Sequence, residues 1–288
     1  MNTVPSLALV YEDPFLLIVD KPELLPTVPL KDDPLDKPTL LGLVASSYPE
    51  VLSVEGKNAW EGGVLHRLDT PTSGLVVIAR TKEAYTALQA IGKAELFVKE
   101  YRCRSSQRPE AQLPAFPPFP YEDPVSCGGR EVTIGSLFRH YGDNRRQVRP
   151  VLADSPKHLL DKSTGTWYMT KVWYTGEEEG ASTFTCRLTS GFRHQVRVHM
   201  AWSGHPIDGD AVYHGKVQQH LALRAVAVEF PHPITSQTME IRIDSYERST
   251  HGRSKRTEVG RTSRHIFGTA SERRIVSHQR CRYSHQHD

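Results

Sequence analysis

Fully apolar runs mark the expected strands in the first third of the chain. Residues 15–19 (FLLIV) and 74–79 (GLVVIA) contain no charged or hydrogen-bonding side chain, which predicts strands that are covered on both faces. Apolar positions at 82–91 recur with helical spacing, and residues 96–103 return to a strand pattern. The first third is therefore expected to contain strands and a short helix, joined by polar loops.

Alternation of apolar and polar positions marks the second half of the chain. A period of two residues predicts strands with one buried and one solvent-facing side, as in antiparallel sheets. Together with the few helical segments, this pattern predicts the α+β fold class. The alternating segments are residues 166–174, 183–189, 221–230 and 237–243.

One amphipathic helix is predicted at residues 192–202, and the Gly and Pro that follow would end it. In this helix Arg193 and Arg197 would lie one turn apart on the same side. Phe192 and Met200 would lie on the adjoining apolar side. A helix with a cationic side and an apolar side is suited to lining a cleft.

Three segments interrupt the regular pattern and set the predicted domain limits. Residues 20–38 are rich in Pro and charge and are predicted to form a loop. Six prolines between residues 104 and 130 exclude regular structure from most of that segment, which we interpret as a long surface insertion. Residues 247–288 have few apolar side chains and are predicted to be a disordered tail. Residues 1–246 would then form one folded domain.

The positive charge is concentrated in the tail. The formal net charge of the chain is +3, but residues 251–288 alone contain nine Lys or Arg against three Asp or Glu. The rest of the chain is slightly acidic, so any affinity for nucleic acid must come there from local cationic patches. The basic tail is suited to docking on phosphates, although a solvated appendage is the more favoured interpretation.

Composition also narrows the class of protein. No run of about 18 apolar residues could span a bilayer, and the N-terminal residues lack the pattern of a secretory signal. We therefore expect a cytoplasmic protein. The four cysteines are scattered without metal-ligand spacing, which argues against a structural zinc site or a disulfide framework; they are Cys103, Cys127, Cys186 and Cys281.

The densest polar cluster beside an apolar run is found in residues 62–81 (GGVLHRLDTPTSGLVVIART). His66, Arg67 and Asp69 fall there in a turn rich in Gly, Pro, Thr and Ser, directly before a predicted buried strand. Functional sites are often built where a polar loop meets a rigid strand. On physical grounds alone, however, an Asp in such a turn more often caps the turn than performs chemistry.

Four segments in a fixed order resemble the RluA family of pseudouridine synthases. The string His66-Arg67-Leu68-Asp69 resembles the H-R-L-D signature of that family, and VKEYRCR contains its K-x-Y motif as Lys99 and Tyr101. The opening segment YEDPFLLIVDKPELLPTVP departs from the family at Leu24, where Gly is usual. The fourth segment, LTSGFRHQVRVHMAWSGHPIDGDAVYHG, has Phe192 and Arg193 in place of Arg and Thr or Ser, and retains Arg197.

The resemblance implies a reaction and its main residues. Members of the family convert uridine in RNA to pseudouridine, which needs a nucleophile but no cofactor or metal. The resemblance gives this role to Asp69, through an acylal, Michael or glycal route. It implies that Arg197 pairs with Asp69 through two hydrogen bonds and keeps it ionised, and that the ring of Tyr101 stacks on the uracil or its hydroxyl accepts a proton.

Further residues are expected to bind the RNA. The target nucleotide must be flipped out of its stack, and the resemblance makes Arg67 the side chain that takes its place. His66 is expected to hold the loop. The segment LFRHYGDNRRQVRP offers phosphate-binding cations, Arg149 among them, although a solvated loop is an equally good interpretation. The remaining candidates for substrate binding are Lys99, Arg193, Arg139, Arg145 and Arg146.

The resemblance also implies the architecture: a bent, mainly antiparallel sheet in two halves, with the active site in a central cleft. We expect a monomer without an S4-type domain, membrane contact or bound metal, with rRNA or tRNA as its partner. Two other functions stay open. One is a glycoside hydrolase using two of Asp69, Asp208 and Asp210, and the other is an RNA-binding or RNA-folding factor with little turnover.

Overall fold

The computed structural model describes residues 7–31, 33–34, 37–106 and 113–243. Within these residues ten strands belong to one sheet. The strands are β1 Ala8–Glu12, β2 Leu16–Lys21, β3 Ser73–Ala79, β4 Val98–Ser105, β5 Val132–Tyr141, β6 Gln147–Val151, β7 Tyr168–Glu178, β8 Ala181–Leu188, β9 Leu223–Pro231 and β10 Thr238–Arg242.

The strand order is β1-β2-β3-β9-β4-β8-β7-β5-β6, and β10 pairs with β9. Every pairing in the described residues is antiparallel except a short parallel one between β3 and β9. The predicted α+β class with a mainly antiparallel sheet is therefore confirmed. The α-helices within the same residues are α1 Leu40–Ala45, α2 Lys82–Lys93, α3 Lys157–Leu160 and α4 Gln195–Trp202, and short 3-10 helices lie at Pro49–Ser53 and Asp143–Arg145.

Both faces of the β2–β3 part of the sheet are covered, as the apolar runs predicted. Leu75 and Val77 of β3 belong to a core cluster with Leu88 of α2, whereas Val76 and Ile78 belong to a second cluster that also contains residues of α4. Successive strand side chains point to opposite faces, so a strand packed on both sides must be apolar throughout.

The predicted helix at residues 192–202 begins later than expected. His194 has a left-handed backbone (φ 60°), so the helix starts only at Gln195. The side chain of Gln195 accepts a hydrogen bond from the backbone N–H of Phe192 at 2.9 Å. Phe192 and Arg193 therefore precede the helix, and the predicted stripe of Arg193 and Arg197 is wrong. Phe192 instead stacks on Phe138 at 5.2 Å between ring centroids.

Of the predicted proline-rich insertion, residues 104–105 instead belong to β4, and residues 113–130 do not form a surface loop. Neither helix nor strand occurs in that part, as predicted, but Leu113 and Phe116 are buried in the main core. The indole Nε1–H of Trp202 in α4 donates to the Pro117 carbonyl at 2.7 Å. The prolines exclude regular structure, and the rings of Phe119 and Tyr121 nevertheless pack edge-on against Trp202 of α4.

Helix α1 was not predicted from the sequence, and the predicted tail lies outside the described residues. Helix α1 was missed because its apolar residues are contiguous rather than periodic; Thr39 caps it by accepting a hydrogen bond from Gly42 N. The tail at 247–288 lies outside the described residues, so its disorder and the domain limit at residue 246 stay predictions.

Gly74 lies where β3 meets β9, and we expect Gly74→Ala to destabilise the fold. Its φ of +117° is unfavourable for other residues, and an added Cβ would overlap the backbone of Ala225. We expect the free energy of unfolding to fall by about 2–3 kcal/mol. Urea denaturation would measure it, with Gly92→Ala as the control because an added Cβ there meets no atom within 4 Å. Equal stability of the two variants would contradict the prediction.

Candidate active site

Asp69 lies in a tight loop immediately before β3. The amide of Thr72 donates to the Asp69 carbonyl at 2.9 Å and closes the turn. The hydroxyl of Thr27 donates to the Leu68 carbonyl at 2.9 Å and accepts from the Leu68 amide at 3.1 Å. The loop is thus anchored at the residue next to Asp69, while 22% of the Asp69 side chain stays exposed.

A buried lysine ties this loop to the chain that follows β2. Lys21 is fully buried, and its Nζ donates to the carbonyls of Pro22 at 2.8 Å, Leu25 at 2.7 Å and Thr70 at 3.2 Å. Burial lowers the pKa of Lys21 to about 8, although the charge of Asp69 acts in the opposite direction. Lys21 was not predicted as a site residue, and its position before Pro22 was the one sequence signal for it.

Arg197 joins two carboxylates. Its Nη1 donates to Asp69 Oδ2 at 3.0 Å, and its Nε and Nη2 donate to the two carboxylate oxygens of Asp210 at 2.7 and 2.8 Å. The expected contact with Asp69 is present, but the predicted pair of hydrogen bonds between them is wrong. The two-bond pairing goes to Asp210, which is 1% exposed and also accepts from the amides of Val212 and Tyr213.

Strand β4 brings Tyr101 and Lys99 to the same region. Tyr101 is 8% exposed, and burial, followed by the charge of Asp69, raises the pKa of its hydroxyl. Lys99 is 9% exposed, and burial lowers its pKa to about 8. Its Nζ lies 5.7 Å from the centroid of the Phe97 ring, and no hydrogen-bond or ion-pair partner for it occurs among the described residues.

His66 and Arg67 have different environments. His66 Nε2 accepts from the Val77 amide of β3 at 3.3 Å, in keeping with the expected loop-holding role. Burial, and then the charge of Lys99, lowers the pKa of His66 to about 3. The Arg67 side chain is 58% exposed and forms an ion pair with Glu61 at 2.7 Å, so it can reach a bound partner from the loop of Asp69.

The predicted cation cluster lies largely on the β5–β6 hairpin. Arg145 and Arg146 are exposed at its tip, and their carbonyls accept hydrogen bonds from the Arg193 guanidinium at 3.1 and 3.2 Å. Arg139 is half-buried, with its guanidinium 5.0 Å from the ring centroid of Tyr141. The structure therefore brings Arg193 to the hairpin tip.

Arg149, which the sequence placed in the same cluster, is not a surface cation. It is 4% exposed and donates to the carbonyls of Pro114 at 2.9 Å and Val148 at 3.0 Å. It lies on a strand position that faces the proline-rich segment, so its guanidinium satisfies buried carbonyl groups.

The carboxylates required by the hydrolase alternative are buried. Asp208 is 0% and Asp210 is 1% exposed. Asp208 accepts from the Ser106 amide at 2.9 Å and from the Gln218 side chain at 3.2 Å, and Asp210 holds Arg197. Neither presents a free carboxylate to a sugar, so the geometry does not support a pair of catalytic carboxylates.

Two other kinds of site are absent from the described part of the chain. No helix there is long and apolar enough to cross a membrane. No group of three or more His, Cys, Asp or Glu residues there is arranged to hold a metal ion.

Comparison with known proteins identifies the family. A family model described as RNA pseudouridylate synthase matches residues 15–202. Ribosomal large subunit pseudouridine synthase D of Vibrio parahaemolyticus is 28% identical over 251 residues, covering 81% of this chain and 66% of that protein. An uncharacterised RNA pseudouridine synthase of Bacillus subtilis is also 28% identical, over 234 residues, again covering 81% and 66%. The chain thus spans slightly less than two thirds of the length of these relatives.

Solved structures agree on the fold. Human RNA pseudouridylate synthase domain containing 1 has a TM-score of 0.56 and 20% identity, with 85% of this chain and 86% of that chain covered. Human RNA pseudouridylate synthase domain containing 4 has a TM-score of 0.55 and 14% identity, with 82% and 88% covered. The chain belongs to the RNA pseudouridylate synthase family, and the predicted RluA-type membership is confirmed.

Proposed function

We propose that this protein is an RNA pseudouridine synthase that isomerises specific uridines, with Asp69 as the nucleophile. The observation that carries the proposal is the hydrogen bonding of the Asp69 carboxylate. Its Oδ2 accepts a hydrogen bond from buried Arg197 at 3.0 Å, while its Oδ1 has no hydrogen-bond partner within the described residues. A guanidinium stays charged, so its hydrogen bond orients the carboxylate.

The surrounding residues have roles that fit one reaction. Tyr101 offers an aromatic face near Asp69, and Arg67 is exposed on the same loop, where it can replace a flipped nucleotide. His66 holds the loop, and Lys99 lies two residues before Tyr101 on β4. The acylal, Michael and glycal routes all start from the same carboxylate and stay open.

We propose ribosomal RNA as the first substrate to test, ahead of transfer RNA. Support comes from the names of several relatives, which refer to the large ribosomal subunit. We further propose that the protein works in the cytoplasm as a monomer. We also propose that it uses neither cofactor nor metal, because the isomerisation has no redox change and transfers no external group.

Tritium release tests the proposed function directly. Joining uracil C5 to the ribose expels the hydrogen of C5, so RNA labelled with tritium at C5 reports each turnover. The RNA should come from cells that lack this protein, and the ribosomal and transfer fractions should be assayed separately. We expect release from the ribosomal fraction. Binding of RNA without release from either fraction would favour an RNA-binding factor on the same scaffold.

The exposed hairpin arginines are expected to bind phosphate groups. Replacing both Arg145 and Arg146 with Gln should weaken RNA binding and lower the slope of log Kd against log salt by about 1.4 to 1.8. The matched control is the pair Lys57→Gln and Lys93→Gln, which removes two exposed positive charges elsewhere. Salt titrations by filter binding measure the slopes. If both double variants have the same slope, the hairpin makes no phosphate contact.

A further inference from the structure

His194 stands beside Asp69 although no motif assigned it a role. Its side chain is 9% exposed, and its Nε2 lies 3.9 Å from Asp69 Oδ2. The residue has a left-handed backbone with φ 60° and ψ 14°, immediately before α4. Only a few per cent of non-glycine residues adopt this left-handed conformation, which costs about 1–2 kcal/mol. The turn therefore aims the imidazole at the carboxylate at an energetic cost.

A hydrogen-bond chain fixes which ring nitrogen carries the proton. The hydroxyl of Tyr213 accepts from the Val148 amide at 3.0 Å and lies 2.9 Å from His194 Nδ1. Because the Tyr213 hydroxyl is already an acceptor, its own hydrogen is best satisfied by donation to Nδ1. Burial lowers the pKa of His194 to about 4, against the opposing effect of Asp69, so the ring is neutral at pH 7. Its single N–H is then on Nε2 and faces Asp69.

Both donors approach the same oxygen of Asp69. Arg197 Nη1 lies 3.0 Å from Oδ2, and His194 Nε2 lies 3.9 Å from Oδ2. The distance from His194 exceeds that of a hydrogen bond by less than 1 Å, which a small movement on RNA binding can close. Oδ1 has no hydrogen-bond partner in the described part of the chain.

We propose that His194 is a positioning residue that donates Nε2–H to Asp69 Oδ2 in the RNA complex and leaves Oδ1 as the reacting oxygen. The proposal rests on the proposed function, since it assumes that Asp69 performs the chemistry. Two donors on Oδ2 would fix the rotation of the carboxylate. A misplacement of about 1 Å in a reacting group can reduce a rate about 100-fold.

Removal of the imidazole with chemical rescue tests the proposal. Gly suits a φ of 60°, so His194→Gly removes the ring without backbone strain. Its single-turnover rate of tritium release should fall about 10- to 100-fold, while the Kd for RNA stays within about twofold. Added imidazole should restore part of the rate. Because 1-methylimidazole can accept from Tyr213 but has no N–H for Asp69, it should restore none.

Two further variants serve as controls for His194→Gly. His214 is an exposed histidine with nearly the same backbone (φ 59°), so His214→Gly should leave the rate unchanged. His194→Asn retains a residue that tolerates this backbone and an acceptor for Tyr213, but lacks the Nε2 donor. It should lose activity like His194→Gly while melting close to the wild-type temperature.

The outcomes separate the two proposals. If the wild-type protein releases no tritium, the proposed function is wrong. An active wild type with a full-rate His194→Gly variant defeats only the role of His194. A slow His194→Gly variant that is rescued equally by both imidazoles, or by neither, overturns the role as N–H donor.

Discussion

The variant Asp69→Asn is expected to lose tritium release by at least about a thousandfold. The amide has nearly the same shape as the carboxylate, but it is a poor nucleophile and a poor proton acceptor. The fold should survive, because Arg197 keeps both hydrogen bonds to Asp210 and the loop keeps its backbone contacts with Thr27. Single-turnover assays with excess enzyme would measure the rate.

Controls for this variant separate chemistry from binding. Asp154→Asn removes one negative charge from an exposed position and should have the wild-type rate. Asp69→Ala excludes reversion of the Asn side chain by deamidation and should be equally inactive. Filter binding should give similar Kd values for RNA in all three variants. If Asp69→Asn retained more than about 1% of the wild-type rate, the assignment of the nucleophile would be wrong.

The second large effect is on stability, and it concerns Asp210. Asp210→Asn should lower the free energy of unfolding by about 3–5 kcal/mol, because it leaves the buried guanidinium of Arg197 without its main counter-charge. Arg197 would keep one ion pair, with Asp69, whose side chain is 22% exposed. The side-chain NH2 of the introduced Asn would also face an N–H group of Arg197, so that two donors would oppose each other. Urea denaturation followed by circular dichroism measures the loss.

A buried aspartate in the same turn provides the matched control. Asp208 is also fully buried, but its partners in the described residues are the neutral groups of Ser106 and Gln218. Asp208→Asn should therefore cost only about 1–2 kcal/mol. Adding Arg197→Met to Asp210→Asn should restore part of the lost stability, since it removes the unpaired charge. Equal losses in the Asp208 and Asp210 variants would show that the Asp210–Arg197 ion pair stabilises the fold no more than the neutral hydrogen bonds of Asp208.

Most strands could be predicted from the sequence because their patterns are local. The apolar run of β3 and the alternation in β7 to β10 depend only on which face of each strand is buried. Helix limits were less predictable. The side chain of Gln195 and the left-handed backbone of His194 postpone the start of α4, and neither has a periodic signal.

Only those residues of the candidate site that belong to a recognised family motif could be predicted. Asp69, Tyr101 and Arg197 were selected through the family resemblance, and the structure brings Arg197 into contact with Asp69. Lys21 and His194 were missed, because their contacts with the Asp69 loop join residues that are far apart in the chain. The partner of a buried charge is decided by packing, and packing has no local sequence signature.

The α+β class and the family could be derived from the sequence alone, whereas the site residues stay a prediction. Strand periodicity and short motifs are local properties, and they survive without knowledge of the fold. Only the tertiary structure decided that Arg197 forms its two-bond pair with Asp210, that Arg149 is buried and that the proline-rich segment packs on α4. These outcomes depend on which buried donors and acceptors meet across the core, where each must find a partner because water is excluded.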